Sequence, residues 1–321
     1  MKISIAMATY NGANYLREQL DSFVDQTRQP DELVACDDGS SDDTLQILYA
    51  FQREAPFDVH IHRNPENLGY AMNFNKAMGM CNGEIVFLSD QDDFWFPGKI
   101  EQIAGLMKSN EKILLVINNQ EITNEKLNSF GITTLGQYKL ARRSSDLFIQ
   151  GCCSAISYRL LKLVLPIPIE VSSHDDWIHK IGCALEVRMV VDEVLQYYRR
   201  HDRNISQGPV FQASDLTNWD LIRHAFPNDS HSLSTKRLDH IERCVGRLQA
   251  VMEQRAPKPL PERWLENAID RFEQERSAVQ ARLHILERPR PYRLLPAFSN
   301  WVNGRYSYFS GWKSLLKDLV K

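Results

Sequence analysis

The sequence contains no stretch approaching the roughly 18 consecutive apolar residues of a membrane-spanning helix. It has no CxxC pair either. Its six cysteines (Cys36, Cys81, Cys152, Cys153, Cys183 and Cys244) are scattered, which weighs against zinc. No signal-peptide pattern follows Met1-Lys2-Ile3-Ser4-Ile5, so reduced, mostly buried thiols in a cytoplasmic protein are expected. Excess positive charge is also missing: 38 Lys and Arg face 41 Asp and Glu, a net charge of −3. That excludes a globally basic nucleic-acid binder but leaves local patches open. No internal repeat, low-complexity tract, or glycine-rich, lysine-containing phosphate loop near the first apolar run is present. With 321 residues, 43% apolar and 25% charged, the chain has ample length for one large domain or two.

What is present is an alternation of short apolar runs with helical patterns. Ile3 to Ala8, Leu33 to Cys36, Val59 to Ile61 and Glu84 to Leu88 read as strands. Between them, Leu16, Leu20, Phe23 and Val24, then Leu45, Leu48 and Phe51, then Ala71 to Met80 have helical spacing. Such βαβ alternation predicts an α/β fold with a mostly parallel central sheet. Ligands of such sheets bind outside the carboxyl ends of the strands. Further on, Ile113 to Ile117 and Met189 to Val191 read as strands, while Asn118 to Ser145 is polar and reads as loop.

Three polar loops fall at the strand ends. The most demanding is Asp90-Gln91-Asp92-Asp93, directly after the fourth strand. Clustered carboxylates repel, so they need a cation or a helix N-terminus. One reading is a hard-metal site, with Asp90 and Asp92 sharing Mg²⁺ or Mn²⁺ with a diphosphate. The other is a solvated turn capping the next helix. Asp37-Asp38-Gly39-Ser40 equally reads as an N-cap or as a carboxylate loop that accepts from a base N–H or a ribose hydroxyl. Thr9-Tyr10-Asn11-Gly12 alone is an ordinary turn signal.

In combination the loops are specific. Ala8 to Gly12, Asp37 to Asp42, Asn67-Leu68-Gly69 and Asp90 to Asp93 resemble, in order and spacing, the signature of glycosyltransferase family 2. Gly151-Cys152, His174-Asp175-Asp176-Trp177 and Tyr198-Arg199-Arg200-His201 with Asn204 extend the match, which resembles the bacterial rhamnosyltransferase-like branch of O-antigen and capsule biosynthesis. The resemblance runs from Met1 to Gln207. It implies a GT-A fold, a UDP- or dTDP-linked sugar donor, a divalent metal (Mg²⁺ or Mn²⁺) and inversion at the anomeric carbon. It implies that Thr9, Asn11, Asp38 and Asp90 hold the donor nucleotide, and that Asp92, His201 and Asp90 hold the metal. Asp175 matches the catalytic base, with the adjacent Asp176 as the alternate. Arg199 and Arg200 read either as diphosphate ligands or as a solvated edge. The implied acceptor is a saccharide or lipid-linked saccharide in cell-surface polysaccharide synthesis. A nucleotidyltransferase acting on sugar phosphates, and a catalytically silent glycan- or membrane-binding module on the same fold, are the alternatives.

The remaining third is different in kind, and domains are expected at 1–207, 208–287 and 288–321. Leu238, Ile241, Val245, Leu248 and Met252, and later Leu265, Ile269, Phe272, Val279, Leu283 and Leu286, predict a helical hairpin broken at Pro257-Lys258-Pro259-Leu260-Pro261. After it, Arg288 to Lys321 interleaves aromatics with seven cations opposed only by Asp318. Such a tail suits an anionic membrane surface, peripheral on the cytoplasmic face of the inner membrane, or packs its aromatics onto the catalytic domain. Nothing else in the sequence supports nucleic-acid binding.

Overall fold

The computed structural model describes residues 1–141, 148–202, 204 and 230–320. They fall into two compact units, Met1–Val210 and Phe211–Lys321. The expected boundary at 207/208, the start of the helical region and Lys321 lie outside the described residues.

The first unit is built on β1 (Ile3–Thr9), β2 (Glu32–Asp37), β3 (Asp58–Arg63) and β4 (Ile85–Ser89), linked by helices α1 (Leu16–Val24), α2 (Thr44–Glu54) and α3 (Tyr70–Met80). These strands run parallel in the order β3-β2-β1-β4. β1 and β2 are buried along nearly their whole length, which is why they read as unbroken apolar runs. Ile5, Met7, Leu33 and Phe87 pack against Leu16, Leu20 and Phe23 of α1 and Leu48 and Phe51 of α2. Each such side chain stabilises the fold by about 1.5–3 kcal/mol. Glu32, at the start of β2, is buried but accepts from Ser4 Oγ at 2.5 Å, Asn82 N at 2.6 Å and Lys2 Nζ at 2.8 Å.

Beyond β4 come β5 (Phe94–Trp95), α4 (Lys99–Ser109), β6 (Leu115–Thr123), β7 (Ser129–Thr133), α5 (Thr134–Leu140), β8 (Ser154–Ser157), α6 (Tyr158–Val164), α7 (His174–Ala184) and β9 (Arg188–Arg199). The sheet continues β4-β8-β6-β9-β5, with β7 on β6. β8 is antiparallel to both β4 and β6, so the residues before it return to the carboxyl end of β4. β9 is far longer than the run Met189 to Val191 suggested, because β6 pairs it as far as Arg199 and β5 pairs its end. The stretch read as loop from Asn118 supplies the second half of β6, β7 and α5. Asn119 and Gln120 are buried there with side-chain partners: Asn119 Nδ2 donates to Asp192 Oδ1 at 2.9 Å and Gln120 Nε2 to Thr134 Oγ1 at 3.2 Å, while buried Asn118 donates to Asn119 O at 2.7 Å.

In the second unit, helices Ser230–Glu253 and Glu262–Leu286 pack through Ile241, Val245 and Leu248 on one and Leu265, Phe272 and Val279 on the other. Shorter helices Leu294–Val302 and Trp312–Val320 follow. The last of them is tied to the second long helix by a buried ion pair, in which Arg282 Nε and Nη2 each donate at 2.8 Å to the Asp318 carboxylate. Tyr306 Oη donates to the same carboxylate at 2.9 Å.

A buried histidine makes the first unit acid-sensitive. Arg188 Nε donates to His179 Nδ1 at 2.9 Å, so that nitrogen is the acceptor and Nε2–H faces Ser154 Oγ at 2.8 Å. Burial, with Arg188 alongside, pushes the imidazole from its ordinary value of 6.5 down to about 3. The unfolded chain therefore binds a proton that the folded chain refuses. The resulting stabilisation is present above pH 6.5 and is lost as pH falls toward 3, at up to about 1.4 kcal/mol per pH unit. Thermal melts are expected to show Tm dropping between pH 6.5 and 4.5, and His179→Gln is expected to flatten that slope. An unchanged slope in the variant would assign the acid sensitivity elsewhere.

Candidate active site

β1 has β2 on one side and β4 on the other, so the chain leaves the sheet in opposite directions from its centre. The loops after β1, β2 and β4 surround the crevice this creates. A cavity of about 1170 Å³ opens there, its lining including Thr9, Asn11, Asp38, Asp90, Asp92, Asp175 and His201.

Hydrogen bonds lock the loops to one another. Asn11, in the left-handed region at φ 49°, accepts from Ser41 N at 2.9 Å through Oδ1, while its own N–H donates to Ser40 Oγ at 2.9 Å. Thr9 Oγ1 donates to Asp37 Oδ1 at 3.1 Å. Asp38 accepts from Asn64 Nδ2 at 2.8 Å, Leu68 N at 2.8 Å and Gly69 N at 2.9 Å. Its carboxylate thus shapes the Asn67-Leu68-Gly69 turn and retains one of its roughly four acceptor positions. Gln91 joins the first and third loops, accepting from Tyr10 N at 2.8 Å and donating to Tyr10 O at 3.0 Å. Sequence reasoning passed over Gln91 as the spacer between two aspartates, and no pattern in the chain marks it.

The acidic cluster is divided. Asp92 Oδ2 lies 2.8 Å from His201 Nε2 and 3.4 Å from Asn204 Nδ2. The β5–β9 pairing causes this, because Phe94 opposite Tyr197 brings the residues before β5 beside those after β9. His201 also packs against the Tyr15 ring at 4.8 Å between centroids. Asp93 turns inward: Gln196 Nε2 donates to its Oδ2 at 2.9 Å, while Oδ1 is buried without a hydrogen-bond partner among the described residues. Beneath it, fully buried Lys99 bonds Cys152 O at 3.2 Å and Gln196 Oε1, with its ammonium 3.8 Å from the centre of the Trp95 ring. Burial pushes Lys99 down to about 8. Burial, with Asp92 adding repulsion, pushes Asp93 up to about 7. Burial, then Asp93, Asp92 and Asp175, raise Asp90 well above the carboxylate range. Among the described residues, carboxylates outnumber their internal counter-charges, and a bound cation would relieve the repulsion.

The side chains fit a hard divalent ion. Ligand atoms of Asp90, Asp93 and Cys152 lie within 4.8 Å of one another, and Asp92 and His201 line the same cavity as Asp90. A hydrogen bond with Cys153 and burial raise the Cys152 thiol, so it stays protonated and the donors are mainly oxygen and imidazole.

Across the cavity, α7 begins at Ser173, whose Oγ caps Asp176 N at 3.2 Å. Asp175 therefore sits in the first helical turn, where the helix dipole favours negative charge. Burial works to raise its pKa, but His174, the Ser173 hydroxyl and the Asp176 N–H outweigh it and hold the carboxyl below its ordinary value. Gly151 presses against this turn: a Cβ there would meet His174 Nε2 at 2.8 Å. His174 stacks on Phe74 at 4.2 Å, and burial pushes it down to about 4.

The structure does not bring Arg199, Arg200 or Asp176 into the lining of this cavity. For Arg199 this corrects the expectation of a diphosphate ligand or a solvated edge. It is buried, donating from Nε to Asp92 O at 2.8 Å and from Nη2 to Glu18 Oε2 at 2.5 Å, and it stacks over Tyr15 at 4.7 Å. Its guanidinium fixes the backbone of the acidic loop instead. Arg200 continues the ladder through its N–H, which donates to Thr123 O at 2.9 Å.

Residues 4–164 match the model of the glycosyl transferase family 2 domain. The chain belongs to this family. A glycosyltransferase of Nostoc sp., itself uncharacterized, is 27% identical over 218 residues, covering 64% of this chain and 66% of the relative. The putative glycosyltransferase EpsE of Bacillus subtilis is 32% identical over 108 residues, 33% of this chain and 39% of the relative. The chain thus spans less than two thirds of either relative. Among solved structures, S. aureus TarS 1–349 in complex with UDP-GlcNAc superposes with a TM-score of 0.56 at 16% identity, over 99% of this chain and 91% of that one. The mannosyltransferase PcManGT of Pyrobaculum calidifontis, in complex with GDP-Man and Mn²⁺, gives 0.50 at 17% identity over 99% and 85%. The family 2 domain therefore has the GT-A fold, with helices following it.

The contact between the first and third loops yields a test. A Cβ on Gly12 would fall 2.1 Å from Gln91 Oε1, so Gly12→Ala expels the Gln91 side chain and breaks both of its bonds to Tyr10. Because Gln91 is half-buried at the rim, Tm is expected to fall by only a few degrees, while affinity for a nucleoside diphosphate falls about tenfold or more. Unchanged nucleotide affinity in calorimetry would show that the clamp does not shape the site.

Proposed function

We propose that this family 2 member is a metal-dependent, inverting glycosyltransferase. It moves a sugar (rhamnose or another hexose) from a UDP- or dTDP-linked donor to a saccharide or lipid-linked saccharide acceptor of cell-surface polysaccharide. One observation carries the reading: Asp90, Asp92 and His201 form one part of a single cavity, and the ionised Asp175 at the start of α7 forms another. Leaving group and base therefore have separate supports, as single displacement at an anomeric carbon requires. The similarly folded TarS and PcManGT, solved with UDP-GlcNAc and with GDP-Man and Mn²⁺, are in line with a nucleotide-sugar donor.

In this reading Asp38 accepts from the base through its remaining lone pair, and Thr9 and Asn11 hold the loop that receives the nucleoside. Asp90, Asp92 and His201 hold Mg²⁺ or Mn²⁺, which when bound neutralises charge on the departing diphosphate. Asp175 takes the acceptor hydroxyl proton as that oxygen bonds to the anomeric carbon. The bond from that carbon to the diphosphate oxygen breaks on the opposite face, and the nucleoside diphosphate leaves. Arg199 holds the Asp92 backbone in place, a positioning role.

Asp175→Asn keeps the helix-capping geometry but removes the base, so kcat is expected to fall by about 10²–10⁴-fold with nucleotide affinity unchanged. Asp176→Asn is expected to stay within a few-fold of the parent. The reverse pattern would move the base to Asp176, and full activity in both variants would contradict a carboxylate base on α7.

A further inference from the structure

The final segment of the chain turns only part of its apolar surface inward. On the helix Leu294–Val302, Ala297 and Asn300 face the interior, whereas Leu294, Leu295, Phe298, Trp301 and Val302 are exposed. Those positions follow the spacing i, i+1, i+4, i+7, i+8, one continuous helical face. Its exposures are high for large side chains: 80% for Leu295, 68% for Val302 and 61% for Phe298. The helix Trp312–Val320 repeats the arrangement, with Trp312, Leu316 and Val320 exposed at i, i+4 and i+8 and Ser314, Lys317 and Asp318 inside. Single exposed apolar residues need no explanation, but two amphipathic helices exposing their apolar sides in one short segment do.

Charge decides what covers them. Residues 288–320 carry Arg288, Arg290, Arg293, Arg305, Lys313 and Lys317 against Asp318 alone. That one acid is already held by Arg282 and Tyr306. The segment therefore keeps a net positive charge beside its apolar faces. A second copy would bring the same cations together, which disfavours self-association, whereas anionic headgroups complement them. Neither helix exceeds nine residues, and among the described residues no helix is long and apolar enough to cross a membrane. Such elements lie in the interface plane with tryptophans at headgroup depth.

We propose that the faces formed by Leu294, Leu295, Phe298 and Trp301, and by Trp312 and Leu316, dock on an anionic lipid surface, with Arg290 and Lys313 beside the headgroups. The docking is independent of the transfer reaction and requires only the second unit to be folded.

The test is co-sedimentation of the full chain with vesicles of phosphatidylcholine alone or mixed equally with phosphatidylglycerol, at low and high salt. Wild type is expected to bind the mixed vesicles, release in high salt, and blue-shift its tryptophan emission on binding. The double variant Leu295→Ser/Phe298→Ser, at exposed positions, is expected to bind at least about tenfold more weakly with Tm unchanged. Three results would overturn the proposal: equal binding by the variant, no preference for anionic vesicles, or a large loss of Tm in the variant, which would put the face inside the protein. Conversion of a wild-type dimer to a monomer in the variant, without vesicle binding, would instead assign the face to a second copy.

Discussion

The repulsion among Asp90, Asp92, Asp93 and Asp175 is the constraint on which the rest of the first unit turns. Three carboxylates within four positions at the end of a buried strand are costly to ionise together, and burial drives Asp90 and Asp93 toward protonation. Among the described residues, internal counter-charge is small and displaced from the cavity: Lys99 lies beneath, itself weakened as a cation by burial, and Arg199 touches the cluster at the Asp92 carbonyl while its charge is paired with Glu18. Among the described residues the cluster is left short of positive charge on the side facing the cavity, and the proposed metal would make up that deficit.

The sheet is arranged to make the deficit tolerable. Antiparallel β8 returns Gly151 and Cys152 to Asp90, and the length of β9 carries His201 to Asp92. Gln196 and Gln120 stand underneath beside Lys99 with amides that both donate and accept, and Gln196 is the neutral partner of the inward carboxylate of Asp93. Asp175 adds to the repulsion on Asp90 from its place on α7, where His174, the Ser173 hydroxyl and the Asp176 N–H outweigh its burial and hold its carboxyl below the ordinary value. Carboxylates in one cavity are thus shifted in opposite directions, Asp90 upward and Asp175 downward, because they stand on different backbone elements.

Strands β1, β2 and β4 and the three polar loops at their ends were legible in the sequence, because buried strands leave unbroken apolar runs with turn residues at their ends, whereas β3, a more exposed edge strand, shows only the short run Val59 to Ile61. Asp92, His201 and Asp175 were legible through the order of the motifs, and the structure brings all three to one cavity. Other features left no trace in a single sequence. Asn118, Asn119 and Gln120 looked like a loop because polar residues in a strand are recognised only once their buried partners are known. Arg199 looked accessible because neither Glu18 nor the Asp92 carbonyl is near it in sequence. The aromatics after Arg288 looked equivalent, yet Tyr306 faces Asp318 while Phe298 faces outward, a division that depends on where the long helix Glu262–Leu286 lies.

The account stands or falls on whether the acidic loop binds a cation and a diphosphate together. Titration of UDP or dTDP into the protein by calorimetry, with Mn²⁺ and then with chelator, measures this directly. The predicted result is that affinity for the nucleotide rises at least about tenfold with Mn²⁺ and that Asp92→Ala removes the gain. Nucleotide affinity that is the same with Mn²⁺ and with chelator, in both proteins, would contradict the account.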